Sequence, residues 1–538
     1  MKKNKRGLIS MLCMIIVAGT VMAGCSSSGN KGTAESSATS QPQVSAAASD
    51  EGESAARLDM KFWTRGLPVE NAFTKKYAEN RFNVNIEHLV MDDNYKEKVN
   101  LMIVSGDFPD YIKDMSFAEY DQYVQQGVLA EIPIELLEQH APKYMAWLKE
   151  VMGSDDPFRY FQRDGKNYAM PNMWTPAVSV NALGMREDWL EKVGIAKKPE
   201  TLAEFEEALI KFRNDDPDNN GKKDTYGVSA ALGSANDIQG LFSYVFAAFG
   251  VHPGLFYEKD GSIKRGEIEP AAKDALAVLR RWYEAGLIDP EFVINKGDNL
   301  DQKVFESKVG MLQSAWWNFI PPEAFFEGKY VDKMPDAKWL VLNGPQGPNG
   351  DAGLTQGNPM TNSGVLFLKH MEQDREKMIR YIEMIEAFNF EPEYLELANY
   401  GEEGVTFRKN GEAYEWIPPY DKKEEQQKFG IDRSIYHYDG IFNNYDLQAP
   451  FMTAPQYREI RREAEQTGKG KYDILYPVHK PVYNDYFDRL DQFTVKSFIN
   501  FISGRSSLDD FDKYVAEWNA MGGDKVMEEA RQLYAGLQ

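Results

Sequence analysis

The most specific chemical pattern in the chain is Asp216-Pro217-Asp218-Asn219-Asn220-Gly221-Lys222-Lys223-Asp224. Asp216, Asp218, Asn220 and Asp224 place side-chain oxygens at positions one, three, five and nine, with glycine at six. That is the opening of an EF-hand-type calcium loop. Alternate hard oxygens converge on one point only if the chain turns sharply, and Gly221 permits that turn. Lys222, at position seven, would contribute its backbone carbonyl. The pattern breaks at position twelve, where Gly227 replaces the bidentate glutamate. A truncated structural Ca2+ loop and a solvated Asp/Asn turn between a helix and a strand both fit, and the donor set favours calcium.

Catalytic constellations are scarce by comparison. The six histidines (88, 140, 252, 370, 437 and 479) include no pair at metal-ligand spacing, so no zinc site is suggested. No Gly-x-Ser-x-Gly elbow, Walker loop or His-Glu-x-x-His is present. Among 83 acidic residues no particular carboxylate pair stands out. Aromatics make up 13% of the chain, enough for a stacking surface as well as a core. Trp63-Thr64-Arg65 suits a sugar: an indole face stacks on C–H groups while a charged neighbour bonds hydroxyls. Trp63 fits equally well as a lid on the core. Trp174, Trp316, Trp317 and Trp416 are further ligand candidates. Adjacent tryptophans cannot share one face of a strand, so one of Trp316 and Trp317 is expected outward and the other inward. Trp189, Trp282, Trp339 and Trp518 read as packing.

These residues must be positioned by an alternation of strand and helix. Leu58–Trp63 reads as a buried strand, Val69–Asn80 as a helix, and Val84–Val90 as an alternating strand. Asn94–Ser105 then reads as a helix and Asp110–Asp114 as a third strand. This β-α-β-α-β run implies a parallel sheet, whose ligands sit at the carboxyl ends of the strands. Later helices carry clear local signals. Thr201-Leu202-Ala203-Glu204 is a capping box ahead of Phe205, Leu209 and Phe212. Pro270 opens a helix with Leu276, Leu279 and Tyr283 that Gly286 closes. Asp374 caps one bearing Met378, Tyr381, Ile382 and Ile385. Ser507 starts one with Phe511, Tyr514, Val515 and Trp518 inward. So long a chain exceeds a single core, and two lobes are the default.

The N-terminus reads as an export signal. Lys2, Lys3, Lys5 and Arg6 precede an uncharged apolar stretch, Leu8–Ala23, too short to span a membrane. Ala23-Gly24-Cys25 follows, and resembles the bacterial lipobox, with Met22 where leucine is usual. The resemblance implies that Cys25 receives diacylglycerol and becomes the mature N-terminus. The only other cysteine, Cys13, leaves with the signal, so no disulfide is expected. Residues 26–57, rich in serine and alanine, cannot build a core and form a tether reaching roughly 30 Å. The formal charge of −22 argues against nucleic acid or anionic lipid as a partner.

Six motifs in order complete the reading: Val104–Asp110, Tyr168–Pro171, Gly286–Glu291, Lys308–Met311, Asn399–Gly404 and Phe498–Gly504. Together they resemble extracellular solute-binding protein family 1, which includes maltodextrin- and alginate-oligosaccharide-binding proteins, and within it the large LplA-like lipoproteins. The resemblance adds Asp110 and Tyr400, which lie in these motifs, to the candidate ligand-binding set of Trp63, Arg65, Trp174, Trp316, Trp317 and Trp416. It implies a periplasmic-binding-protein-like α/β fold: two α/β lobes with a hinge and a ligand cleft between them. The first lobe is expected over residues 58–172 and roughly 360–405, the second over 173–359 and roughly 406–538, with hinges near Met170–Ala177 and Asn358–Val365. The family's alginate-binding members carry a calcium loop like Asp216–Asp224, continued by a glutamate where Thr225 stands here. The implied function is a monomeric, lipid-anchored receptor on the outer face of the cell membrane. It would bind an oligosaccharide and present it to the permease subunits of an ABC importer. A lipid-anchored polysaccharide-degrading enzyme, or the same fold binding a peptide or signalling molecule, is the alternative.

Overall fold

The computed structural model describes residues 56–538 apart from 93, 175–180, 236, 321–333, 343, 352–359, 433–434, 436–441, 444, 467–471 and 538. Cys25, its signal segment and the tether lie outside the described residues. Leu58–Thr64 (β1) and Val84–Val90 (β2) pair in parallel, from Leu58 opposite Val84 to Thr64 opposite Val90. The intervening helix, Phe73–Phe82 (α1), starts later than the expected Val69. The first residues turn instead, the Ala72 amide closing on the Val69 carbonyl, because no side chain there caps a helix. Tyr95–Ser105 (α2) follows β2 as expected, ending on Gly106 in the left-handed region.

The third strand departs from the parallel expectation. Tyr111–Ile112 (β3) is two residues long and pairs antiparallel with Met360–Phe367. Side chains satisfy much of the β1 edge. The Lys61 amide donates to the Asp110 carboxylate at 2.9 Å and to the Tyr381 hydroxyl at 2.7 Å. The Trp63 amide donates to the Tyr111 hydroxyl, and the Trp63 indole donates to the Tyr111 carbonyl. Buried backbone groups must be paired, and here side chains do what a ladder would.

Two four-stranded sheets define two α/β lobes. The first runs Phe442–Asn443, Met170–Trp174, Met360–Phe367, Tyr111–Ile112, and the second runs Trp339–Leu342, Asn181–Arg186, Val309–Ala315, Tyr226–Val228. The chain thus re-enters the first sheet at Phe442–Asn443, beyond residue 405, where the sequence reading has it leave the first lobe for good. Each sheet has its own core. The first gathers Phe62, Trp63, Tyr111, Met170, Phe367 and Tyr381. The second gathers Trp189, Phe205, Leu276, Trp282, Phe498 and Trp518. Met170–Trp174 leads into Asn181 of the second sheet, and Met360–Phe367 returns from Leu342, so paired crossover strands connect the lobes. They approach closely at Gly364, whose φ is +77° and whose added Cβ would lie 1.9 Å from the Met170 carbonyl. Only glycine meets both demands.

The capping signals act as written. Thr201 and Glu204 form a reciprocal capping box for Leu202–Asn214, which buries Phe205, Leu209 and Phe212. Asp374 accepts from the Lys377 amide at the start of Arg375–Phe390. Among the described residues no helix is long and apolar enough to cross a membrane.

Candidate ligand-binding site

In the second sheet, Tyr226–Val228 and Val309–Ala315 run parallel, so both carboxyl ends point the same way. Beyond them lies a cavity of about 440 Å3, with Ser229 and Ala231 after one strand and Gln313 and Ser314 at the end of the other. Strand ends make such a crevice because the strands stop there while the flanking loops continue past them. Gln239, Asp237, Asp301 and Asp491 also line it.

Not all of these groups are free to meet a ligand. Both Asp237 oxygens accept backbone amides, from Gly233 and Gly240, each at 2.9 Å. Ser229 donates to Asp289, which also accepts from Asn295 and Lys303. Burial opposes the charge on Asp289, yet these bonds hold its carboxyl below the usual range. That network explains why the Gly286–Glu291 motif is structural. Gln313 accepts from the Ser243 hydroxyl, which leaves its amide nitrogen for the cavity.

Asp491 projects from the helix Pro481–Ile502, and burial pushes its carboxyl up to about 7 despite a bond from Arg265. Arg265 is itself 1% exposed and is held between Glu267 and Asp491. A second cavity of about 300 Å3 shares Gln239, Gly254 and Asp491 with the first. It reaches Ser116 and Phe117, at the start of the first lobe's helix Phe117–Gln125. The two cavities therefore extend from the second sheet to the edge of the first lobe. Phe117 meets Tyr476 edge-on at 5.3 Å beside them, and His479 bonds Asp121 across the same boundary.

Among the nominated residues whose side chains are described, none lines either cavity. Trp63 is buried at 2% exposure, edge-on to Tyr95, and belongs to the core. Asp110 is 3% exposed; its carboxylate accepts Lys377 at 2.7 Å and Tyr381 at 2.6 Å. Burial alone would raise its pKa, but bonds from His370, Lys377 and Tyr381 lower it to about 2. It is a brace between β1 and a helix, where a ligand contact was expected. Arg65 is exposed and pairs with Asp114 at 3.4 Å, while Asn362 donates to the other Asp114 oxygen at 3.0 Å. Arg65, Asp114 and Asn362 thus mark the carboxyl end of β1 and the loop after β3.

Trp174 ends its strand, but its side chain lies outside the described ones. Trp316 and Trp317 sit on a 3-10 turn after Ala315, not on a strand. Trp316 is buried beneath Arg461 and Trp317 is half-buried against it, so Trp316 is packing. Tyr400, the last residue of the helix Pro392–Tyr400, stacks on Tyr414 at 4.1 Å and touches Trp416 at 5.3 Å, both on the hairpin of Phe407–Asn410 and Ala413–Trp416. Sequence reasoning missed Gln239, Gln313, Asp301 and Asp491. One signal was available: Gln313 is a polar residue following the apolar run Val309–Leu312.

The Asp216–Asp224 loop has the required turn. Gly221 has φ +76°, and Asp216 and Asn219 also adopt positive φ. The Asp216 carboxylate accepts the Asn220 and Gly221 amides. The Asn220 side-chain nitrogen donates to Asp218 at 2.7 Å and to Asp224 at 3.0 Å, bridging the two carboxylates. Burial and the neighbouring Asp216 and Asp224 push the Asp218 carboxyl up, and one Asp218 oxygen has no hydrogen-bond partner. Among the described residues no group of three or more His, Cys, Asp or Glu side chains stands arranged to hold a metal ion. The loop thus has a cation site's turn and concentrated charge, with an amide between the donors.

The sequence profile of the bacterial extracellular solute-binding proteins matches residues 71–363, more than half of the chain. The chain belongs to that family. The lipoprotein LipO of Bacillus subtilis (strain 168) is 23% identical over 464 residues, covering 83% of this chain and 85% of LipO. Among solved structures, the alginate-binding protein AlgQ2 without calcium ion superposes with a TM-score of 0.62 at 20% identity, covering 90% of this chain and 99% of AlgQ2. An EF-hand mutant of the Streptococcus pneumoniae ABC-transporter substrate-binding protein FusA, in complex with fructo-nystose, gives 0.64 at 18% identity, covering 90% and 99%. These likenesses establish a two-lobed solute-binding fold, in a family of binding proteins and not of enzymes.

Proposed function

We propose that the chain is the lipid-anchored receptor of an ABC importer and binds an oligosaccharide between its two lobes. The observation that carries this reading is the pair of contiguous cavities at the carboxyl ends of the second sheet. They are lined by amides, hydroxyls and carboxylates and reach the first lobe. Such a surface matches a ligand dense in hydroxyls, each of which both donates and accepts. FusA, bound to fructo-nystose in a similar fold, supports the same class of ligand. The lobes are drawn at 58–172 with roughly 360–405, and 173–359 with roughly 406–538. The exceptions within 406–538 are Phe442–Asn443, which pairs with Met173–Trp174, and the Phe407–Trp416 hairpin, which packs on Tyr400; both go with the first lobe. A sugar touching both lobes favours the closed arrangement by its differential affinity, with hinges near Met170–Ala177 and Asn358–Val365, of which 175–177 and 358–359 lie outside the described residues. The closed monomer is then the form a permease engages.

Cys25 supplies the anchor: diacylglycerol on its thiol holds the receptor at the extracytoplasmic face. Replacing Cys25 with serine is expected to release the protein into the medium. The calcium loop is included in the proposal. Asp216, Asp218, Asn220 and Asp224, with the Lys222 carbonyl, would hold Ca2+, which would neutralise the charge concentrated there. The decisive experiment is calorimetry against an oligosaccharide panel combined with small-angle scattering. Binding of a glycan with a fall in the radius of gyration is expected. Binding of peptides and of no glycan would overturn the assignment.

A further inference from the structure

The two cavities meet at Gln239, Gly254 and Asp491, so a ligand that occupies both must pass these residues. Asp491 is the charged member of the trio, and its side chain keeps 12% exposure. Arg265 donates to its Oδ1 at 2.9 Å, while also donating to Glu267. Among the described residues no donor reaches the other oxygen, Oδ2, and the residue faces both cavities. A carboxylate so far from bulk water is costly until both oxygens are bonded. Burial accordingly pushes its carboxyl up to about 7; Glu267 and Asp488 add to the rise and Arg265 opposes it. Among the described residues, the charged and titratable groups facing it are Arg265, Glu267, Tyr514 of the helix Phe511–Trp518, and Tyr483 and Asp488 of its own helix. Asp237 and Asp301 line the larger cavity with it, and Asp473 and Lys480 the smaller. Lys480 donates to the carbonyls of Leu475, Tyr476 and Val478. Gln239, half-buried at the same junction, spends its side-chain amide on no described residue.

We propose, on the oligosaccharide reading above, that Asp491 is a specificity-determining residue whose Oδ2 accepts a hydroxyl of the sugar unit seated at the junction. The Gln239 amide bonds a neighbouring oxygen of the same unit. A unit with a free hydroxyl at that point is accepted. One whose hydroxyl is methylated or absent is disfavoured, because it leaves a buried acceptor without its donor. The same bond ties binding to a proton. A hydroxyl donates a charge-assisted bond to the carboxylate and a weaker one to the neutral acid. Asp491 is already buried, so the ligand removes little further water from it, and the gained donor decides the balance. Bound ligand therefore favours the ionised form and lowers the carboxyl's pKa. Binding below about pH 7 releases a proton, and affinity rises with pH toward about 7 and levels off above it.

The test is titration calorimetry on the purified chain at about pH 5.5 and about pH 8, in buffers of differing ionisation heat. The probes are tri- and tetrasaccharides of glucose, galactose, mannose, xylose and fructose. The glycan that binds should do so about tenfold more tightly at the higher pH and release a proton at the lower. Asp491→Asn should weaken binding about tenfold at the higher pH and flatten the pH dependence. Among mono-O-methyl forms of that glycan, one should lose about tenfold against wild type and little against the variant, which identifies the hydroxyl. If the variant fails to fold, proton release by the unaltered chain reads the same bond. A glycan bound equally well at both pH values, bound with proton uptake, or bound with a pH dependence that Asp491→Asn retains overturns the inference and leaves the oligosaccharide reading standing. Binding of no glycan overturns both.

Discussion

Replacing Asp110 with asparagine separates two roles that the sequence alone could not distinguish. In the structure its carboxylate joins the Lys61 amide of β1 to Lys377 and Tyr381 of Arg375–Phe390. Its pKa of about 2, against an ordinary 3.8, reflects bonds from His370, Lys377 and Tyr381 that outweigh its burial. A depression of that size corresponds to about 2 kcal/mol of native-state stability. The native pKa lies below the unfolded one, so this stability is complete above about pH 4 and is lost as pH falls toward 2. Asparagine keeps an acceptor but leaves Lys377 facing a neutral group, at a cost of about 2–3 kcal/mol at pH 7. For a lobe of this size the midpoint of its thermal transition should fall by roughly 5–10 °C. Scanning calorimetry at pH 7 and pH 3 measures this, and the difference between variant and wild type should shrink at the lower pH. Binding calorimetry on the same samples, below the melting range, should give nearly unchanged ligand affinity. A variant that melts like wild type but has lost its ligand would refute the bracing role and restore Asp110 to the binding site.

Three further outcomes are expected. Asp491 has a native pKa of about 7, above the unfolded value, so wild-type stability should decline as pH rises from about 4 to about 7. Asp491→Asn should remove that decline and exceed wild type by on the order of 1–3 kcal/mol at pH 7 in urea titrations; parallel profiles would contradict the burial argument. Thr201→Ala deletes one half of the capping box on Leu202–Asn214 and should cost about 1 kcal/mol in the same assay, with ligand affinity intact. Chelator should lower the melting temperature of the second lobe and calcium should restore it; a melting temperature indifferent to both would remove calcium as a stabilising element.

Much of the fold was legible because its signals are local. The Thr201–Glu204 box and the Asp374 cap satisfy amides within three residues, so the sequence alone specifies them. The β1–α1–β2 unit is nearly as local, its error confined to where the helix begins. β3 was misjudged because Tyr111–Ile112 finds its partner in Phe367 and Leu366, far along the chain. No periodicity near residue 111 reports that pairing. Trp63 carries the same lesson. An indole beside an arginine at a strand end serves a sugar or a core equally well, and only the Tyr111 carbonyl and the Tyr95 ring decide between them.

The sequence by itself determined the family, the two-lobed α/β class, and the turn at Gly221 with its oxygen donors. Each depends on residues close in the chain or on composition, so no knowledge of distant contacts is required. Tertiary structure alone decided which polar groups share the cleft. Gln239, Asp301, Gln313 and Asp491 come from separate elements of the second lobe and converge only once its sheet and helices have packed. The same packing turns Asp237 inward onto its own loop and commits Lys480 to carbonyls. A count of charged residues cannot distinguish a committed charge from an available one, because that distinction is made by hydrogen bonds between segments the chain brings together last.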